Sequence, residues 1–200
     1  MKKVLVTCFE PFGGGAVNSS FEAVRAMTAP SGTELFKVTL PVEWKTSAEK
    51  LFAVWDEIAP DAVLMTGLAA GSDRVRIERV AVNICGAIRD NRGLYPSGDG
   101  TDAEESPVIV GAPAAHFATF DHKAILSAMR KENVPASYSF SAGTYICNYV
   151  FFAATERIAK EKRPMPAGFI HLPSLAEEGK SPSLPLDVLV KALTAAVAVM

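Results

Sequence analysis

Three residues of this 200-residue chain, Cys147, His171 and Glu78, have the types and settings that nucleophilic chemistry needs. Cys147 opens an apolar stretch, Tyr145 to Lys162, that reads as a helix, and a helix N-terminus favours a thiolate over a thiol. His171 ends the run AGFIHL, which reads as a buried strand. If the helix crosses the molecule and the strand returns, His171 arrives beside Cys147 although 24 residues separate them. An imidazolium there favours the thiolate further, and such neighbours bring a thiol pKa from ~8.5 into the range ~3.5–7.5. Glu78 shares the parity of Val80, Val82 and Ile84. If that face is buried, its carboxylate needs a partner, and an imidazolium would satisfy it. A Cys–His pair oriented by an acidic residue is the general form of an activated nucleophile. Each residue also has a plainer reading. Cys147 could be a small core residue, His171 a satisfied core histidine, and Glu78 the surface partner of Arg76 or Arg79.

Short apolar runs bounded by turn residues predict strands at Val4–Cys8, Glu34–Leu40, Ala62–Thr66, Ala136–Phe140 and Ala167–Leu172. Between them lie helical patterns: Phe21–Met27 capped by Asn18, Ser19 or Ser20, Thr46–Ile58 with Leu51, Val54, Trp55 and Ile58 on one stripe, and a segment from Asp121 to Glu132. A last helix is expected after a Ser183 cap. Val75–Ile84 alternates like a strand whose phase slips near Glu78 and Arg79, which predicts a bulge or bend. Residues 86–113 read as one long loop, a length that in a compact domain is more often functional than idle. Alternating strands and helices predict an α/β fold, a three-layer α/β/α sandwich on a largely parallel, twisted sheet. In such a sheet the loops leaving the carboxyl ends of the strands gather on one edge and bind the ligand. FEPFGGG (9–15), GLAAGSD (67–73), SAGTYIC (141–147) and LPS (172–174) are those loops. FEPFGGG lacks the spacing of a phosphate cradle. Its two phenylalanines suggest instead an apolar wall for a small flat group.

At about 150 residues per domain, residues 1–200 are expected to form a single domain. Twenty Lys and Arg against 22 Asp and Glu leave a net charge of −2, which argues against nucleic acid and against an anionic membrane surface as partners. Only the five residues Val4 to Cys8 follow the two lysines before Phe9 and Glu10, too few for a signal-peptide core, and no apolar run reaches the ~18 residues of a membrane span. Three scattered cysteines do not make a disulfide scaffold. We therefore expect a reduced, cytoplasmic location, with Cys8 and Cys85 as structural residues. Three histidines without short-range pairing, and no CxxC, speak against a metal site. His116 and His122 are expected to be solvated.

The motifs VLVTCFEPFGG (4–14), Asn18 with Ser20, IERVAVNI (77–84), Asp90–Asn91, GAPAAHF (111–117), AGTYICNYV (142–150) and GFIHLP (168–173) together resemble the pyroglutamyl peptidases, over nearly the whole chain and in order. These are cysteine peptidases that remove an N-terminal pyroglutamate from peptides. The resemblance implies Cys147 as nucleophile, His171 as general base and acid, and Glu78 as the residue orienting His171. It also implies an α/β/α sandwich, assembly into dimers or tetramers, and no cofactor. Phe9, Phe12, Asn18 and Ile146 would surround the lactam ring, and Leu68 stands where many members carry a glutamine. The segment NICGAIRDN (83–91) is one residue shorter than usual, which displaces the arginine associated with the oxyanion. Arg89 and Asp90 are then the candidates for oxyanion or loop support. Cys8 replaces a usual glycine. Two other readings stay open: a hydrolase with the same machinery acting on another small cyclic or N-blocked amide, and a catalytically silent binding homologue.

Overall fold

The computed structural model describes residues 1–98 and 104–200. In chain order the elements are β1 (Lys2–Phe9), α1 (Ser19–Ala26), β2 (Thr33–Leu40), α2 (Thr46–Ile58), β3 (Ala62–Leu68), β4 (Val75–Glu78), β5 (Val80–Val82) and β6 (Ala115–Phe117). There follow α3 (His122–Lys131), β7 (Ala136–Ser139), α4 (Ile146–Glu161), β8 (Ala167–Leu172), the short strands β9 (Ser174–Leu175) and β10 (Ser183–Leu184), and α5 (Leu186–Ala198). The main sheet has the order β2-β1-β3-β8-β4-β7, and every neighbouring pair is parallel except β4 with β8. The largely parallel α/β sandwich expected from the alternation is the observed fold.

The period-2 pleat sorts each strand's side chains between two cores. Val4 and Val6 of β1, Leu64 of β3, Val75 and Ile77 of β4 and Ile170 and Leu172 of β8 join the core under α1, α3 and α5. Leu5, Val63, Met65, Ala167 and Phe169 join the core under α2 and α4. By the same parity, Gly67, Arg76, Glu78 and His171 belong to the α4 side of the sheet. Both faces are covered, so the inner strands are apolar throughout rather than alternating, as β3 shows.

Caps fix several helix starts. The Asn18 side chain accepts from Ser20 N–H to begin α1, and Asp121 accepts from Lys123 and Ala124 to begin α3. At two places the structure departs from expectation. The phase slip after Glu78 is a change of sheet: β4 ends there, and β5 pairs with β6 in a separate antiparallel ribbon. α5 is capped by Pro185 without a side-chain bond, and Ser183 lies in β10. As expected of a long loop, residues 86–98 and 104–113 carry no helix or strand, although Ser106 forms an isolated bridge with Cys85. The expectation for residues 99–103 lies outside the described residues.

Candidate active site

Glu78 and His171 meet because β4 runs antiparallel to β8. The register sets Arg76 opposite His171, so Glu78 lies diagonally two residues on, on the same face. His171 Nδ1 is 2.8 Å from Glu78 Oε1, and both side chains are buried. The second carboxylate oxygen of Glu78 is buried with no hydrogen-bond partner among the described residues. A carboxylate so placed gains most by facing a protonated ring. Burial works against charge on His171, but the Cys147 sulfur and the Glu78 carboxylate outweigh it and push its pKa from 6.5 up to about 9. With Nδ1 engaged by Glu78, Nε2 is the nitrogen left for sulfur, and Phe169 packs against the ring at 4.6 Å between centroids.

Cys147 is the second residue of α4, partly exposed, at a helix start that Tyr145 caps without a side-chain bond. Its sulfur sits in a notch that glycine alone leaves open. Gly67 pairs with His171 across β3 and β8, and a Cβ there would lie 2.8 Å from Cys147 Sγ and 2.9 Å from Phe169 Cζ. Asn148, the next residue of α4, binds back to the ribbon: it accepts from Val82 N–H and donates to the carbonyls of Val82 and Ile84. The helix carrying Cys147 is thereby tied to the segment that follows Glu78. The other two cysteines differ. Burial raises the Cys8 thiol and pushes Cys85 up to about 11, which keeps both protonated and inert.

Beside Cys147 lies a cavity of about 230 Å³, including its open mouth, lined by Phe9, Phe12, Asn18, Val42, Leu68, Tyr145, Ile146 and Cys147. Every expected wall residue, Phe9, Phe12, Asn18, Leu68 and Ile146, is on it. Gly13 and Gly14, at φ 62° and 78°, turn the 9–15 loop behind Phe12. Sequence reasoning missed Val42 and Tyr145. Tyr145 directly precedes Ile146 in a motif already singled out, so its position gave a usable signal, whereas Val42 follows a strand that carried none.

Asp90 and Arg89 do not reach the cavity wall. The buried Asp90 carboxylate accepts from the backbone N–H groups of Trp44, Arg92 and Leu94, which closes the 90–94 turn. The Arg89 guanidinium donates to the Gly93 carbonyl and stacks on Tyr95 at 4.4 Å. Its own carbonyl accepts from the Tyr145 hydroxyl at 3.0 Å. Burial, with the charges of Asp90 and Cys147, pushes that phenol up to about 12, so it stays a donor. Asp90 thus supports the loop that holds a pocket wall. His116 is not solvated as expected, since its Nε2 contacts Glu156 of α4. His122 is half-buried and packs edge-on against Tyr138. No cluster of His, Cys, Asp and Glu among the described residues could hold a metal ion.

The pyroglutamyl peptidase family model matches residues 2–200. The pyrrolidone-carboxylate peptidase of Thermococcus onnurineus is 41% identical over 195 residues, covering 95% of this chain and 94% of that protein. Pyrrolidone-carboxylate peptidase 1 of Caldanaerobacter subterraneus is 41% identical, with 99% and 97% covered. Among solved structures, a mutant pyrrolidone carboxyl peptidase of the hyperthermophile Pyrococcus furiosus superposes with a TM-score of 0.90 at 35% identity, covering 98% of this chain and 97% of the other. The pyroglutamyl peptidase I of Bacillus amyloliquefaciens gives 0.89 at 35%, with 99% and 94% covered.

Proposed function

The chain belongs to the pyroglutamyl peptidase family, and we propose that Cys147 is its nucleophile, His171 its general base and acid, and Glu78 the residue that orients the imidazole. The activity is that of a cysteine exopeptidase removing N-terminal pyroglutamate from peptides. The observation that carries the residue assignment is the 2.8 Å contact of buried Glu78 with His171, whose raised pKa includes the influence of Cys147.

In the reaction so assigned, Cys147 Sγ attacks the carbonyl carbon that joins pyroglutamate to the next residue. The electron pair of the C=O moves onto oxygen, where the backbone N–H of Cys147, in the first turn of α4, is placed to donate. As the carbonyl re-forms, the C–N bond breaks and His171 Nε2 gives its proton to the departing amine. A thioester remains. Water then attacks it while His171 takes the water proton, the C–S bond breaks, and free pyroglutamate leaves with the thiolate restored. Through both steps Glu78 holds Nδ1, so Nε2 always faces the sulfur. The ring occupies the cavity between Phe9, Phe12, Leu68 and Ile146, whose lack of charge suits a residue without an α-ammonium group.

We also read residues 1–200 as one domain that works as a cytoplasmic homo-oligomer. The resemblance and the scattered free cysteines support this, and no helix among the described residues is long and apolar enough to cross a membrane. Incubation with pyroglutamyl 7-amino-4-methylcoumarin tests the assignment. The wild-type chain should release the fluorophore and Cys147→Ala should not. Undiminished release by the variant would overturn it.

A further inference from the structure

The cavity lies on one side of the Cys147 sulfur, and the sheet continues on the other. Its strand order β1-β3-β8-β4 sets in sequence the cavity at the loop after β1 and the end of β3, Cys147 Sγ against Gly67 of β3, His171 on β8, and Arg76 on β4 opposite His171. Opposed residues of an antiparallel pair share a face, with Cα atoms ~4.5–5.5 Å apart. The departing amine must stand at His171 to receive its proton. A peptide whose ring fills the cavity therefore continues past His171 over β4, toward Arg76.

Arg76 is half-buried there, and its charge is not neutralised. Among the described residues its one hydrogen bond runs from Nε to Ser72 Oγ at 3.1 Å, and no carboxylate forms an ion pair with it. Asp73, which feels the Arg76 charge, is held by Arg74 through both oxygens. Glu78, two residues on and on the same face, is paired with His171. Ser72 is buried and holds the guanidinium by one edge. The two terminal nitrogens remain as a fork, the geometry that takes a carboxylate by two parallel bonds. We propose that Arg76 is the specificity residue of the leaving side: it binds the α-carboxylate of the residue released, so that pyroglutamyl dipeptides with a free C-terminus are favoured substrates. The inference rests on the peptidase activity assigned above and names its substrate class more closely.

The experiment compares kcat/KM for pyroglutamyl-alanine and pyroglutamyl-alanine amide, with released pyroglutamate measured by chromatography. The amide keeps one acceptor and loses the charge. A half-buried pair lies between an exposed ion pair and a buried charged hydrogen bond, so the acid-to-amide ratio should be ~5–30 at low salt. Arg76→Gln should lower that ratio at least ~5-fold, and Arg76→Lys, which keeps the charge, should stay within ~3-fold of wild type. If Arg76 only supported Glu78, both substrates would slow together and the ratio would hold. A wild-type ratio near or below 1, or one that Arg76→Gln leaves unchanged, would overturn the inference while pyroglutamyl cleavage itself stands. Failure of the wild type on both dipeptides and on the coumarin amide alike would overturn the activity beneath it as well.

Discussion

Among the described residues there are two histidine–glutamate pairs, and both involve the α4 side of the sheet. In one, His171 of β8 meets Glu78 of β4 beside Cys147. In the other, His116 of β6 meets Glu156 of α4, and Lys160 stands 3.1 Å from the same carboxylate. The side chains are alike and the surroundings decide what each pair does. Among the described residues His171 is the one ion-pair partner of Glu78, and Cys147 and Glu78 together push the ring's pKa up to about 9, with its second nitrogen left for the sulfur. Glu156 has Lys160 beside it as well as His116. Burial opposes its charge, yet the bonds from His116 and Lys160 hold its carboxyl below the ordinary range. Among the described residues, the side-chain partners of His116 are Glu156 and the Phe152 ring, neither of them a nucleophile. The first pair is chemical equipment, and the second staples the β5–β6 ribbon to the helix. A shared residue pair therefore does not identify an active site. The third neighbour does.

The largest separation between the pairs should appear in turnover. His171→Ala should lower kcat for a pyroglutamyl amide by at least ~10³-fold, as loss of a triad member does. His116→Ala should change it less than ~3-fold, because its partner Glu156 is not part of the assigned machinery. Steady-state kinetics on both variants checks the pair, and equal losses would erase the distinction. Glu78→Gln comes next, at ~10²–10⁴-fold, since a neutral amide can hold the wrong tautomer.

Glu78→Gln should also move the alkaline limit of activity. The proton on His171 is needed for the leaving amine, so wild-type activity should fall as pH rises through about 9. Part of what raises that pKa is the Glu78 carboxylate, and removing it shifts the fall toward neutral pH. Stability carries the same sign: a raised folded-state pKa contributes fully below the unfolded value near 6.5 and is lost as pH rises through about 9. Glu156→Gln should leave the alkaline limb in place. A pH–rate profile of the two glutamine variants separates them. A smaller effect is expected from Gly67→Ala, whose new methyl must displace Cys147 Sγ or Phe169. Misplacement of the nucleophile on the order of 1 Å should cost ~10²-fold in kcat with less change in KM.

How legible this was depended on what each residue's position rests on. Cys147 and His171 could be brought together from the alternation of helix and strand alone, because a helix that crosses and a strand that returns fix both ends. Glu78 was legible only in part. Its parity signalled an inward carboxylate, but the pairing that delivers it to His171 is the antiparallel contact of β4 with β8, and parallel alternation gives no hint of that reversal. The same change of sheet explains why the slip near Arg79 read as a bulge. Phe9 and Phe12 were legible as an apolar wall in a strand-end loop, whereas Asn18, Leu68 and Ile146 came only from the resemblance. Val42 and the roles of Arg89 and Asp90 were not, since they depend on a loop whose path is set by long-range bonds to Trp44 and Tyr145. His116 was misread for a related reason: its partner lies 40 residues away on α4.

The staple makes the subtlest prediction, and it concerns acid. Because Glu156 has a folded-state pKa below its ordinary value, its contribution is present above the unfolded value near 4.5 and is lost as pH falls through the lower folded one. His116→Ala removes one of the two groups that hold it there and leaves Lys160 in place. The loss should be that of one charge-assisted hydrogen bond, about 1–3 kcal/mol at pH 7. It should shrink as pH drops and the carboxylate is protonated in wild type and variant alike. Urea unfolding of both at pH 7 and pH 3 measures this directly. A difference that persists undiminished at pH 3 would mean that His116 stabilises the ribbon by packing on Phe152 rather than through Glu156, and the resemblance between the two pairs would then be one of position only.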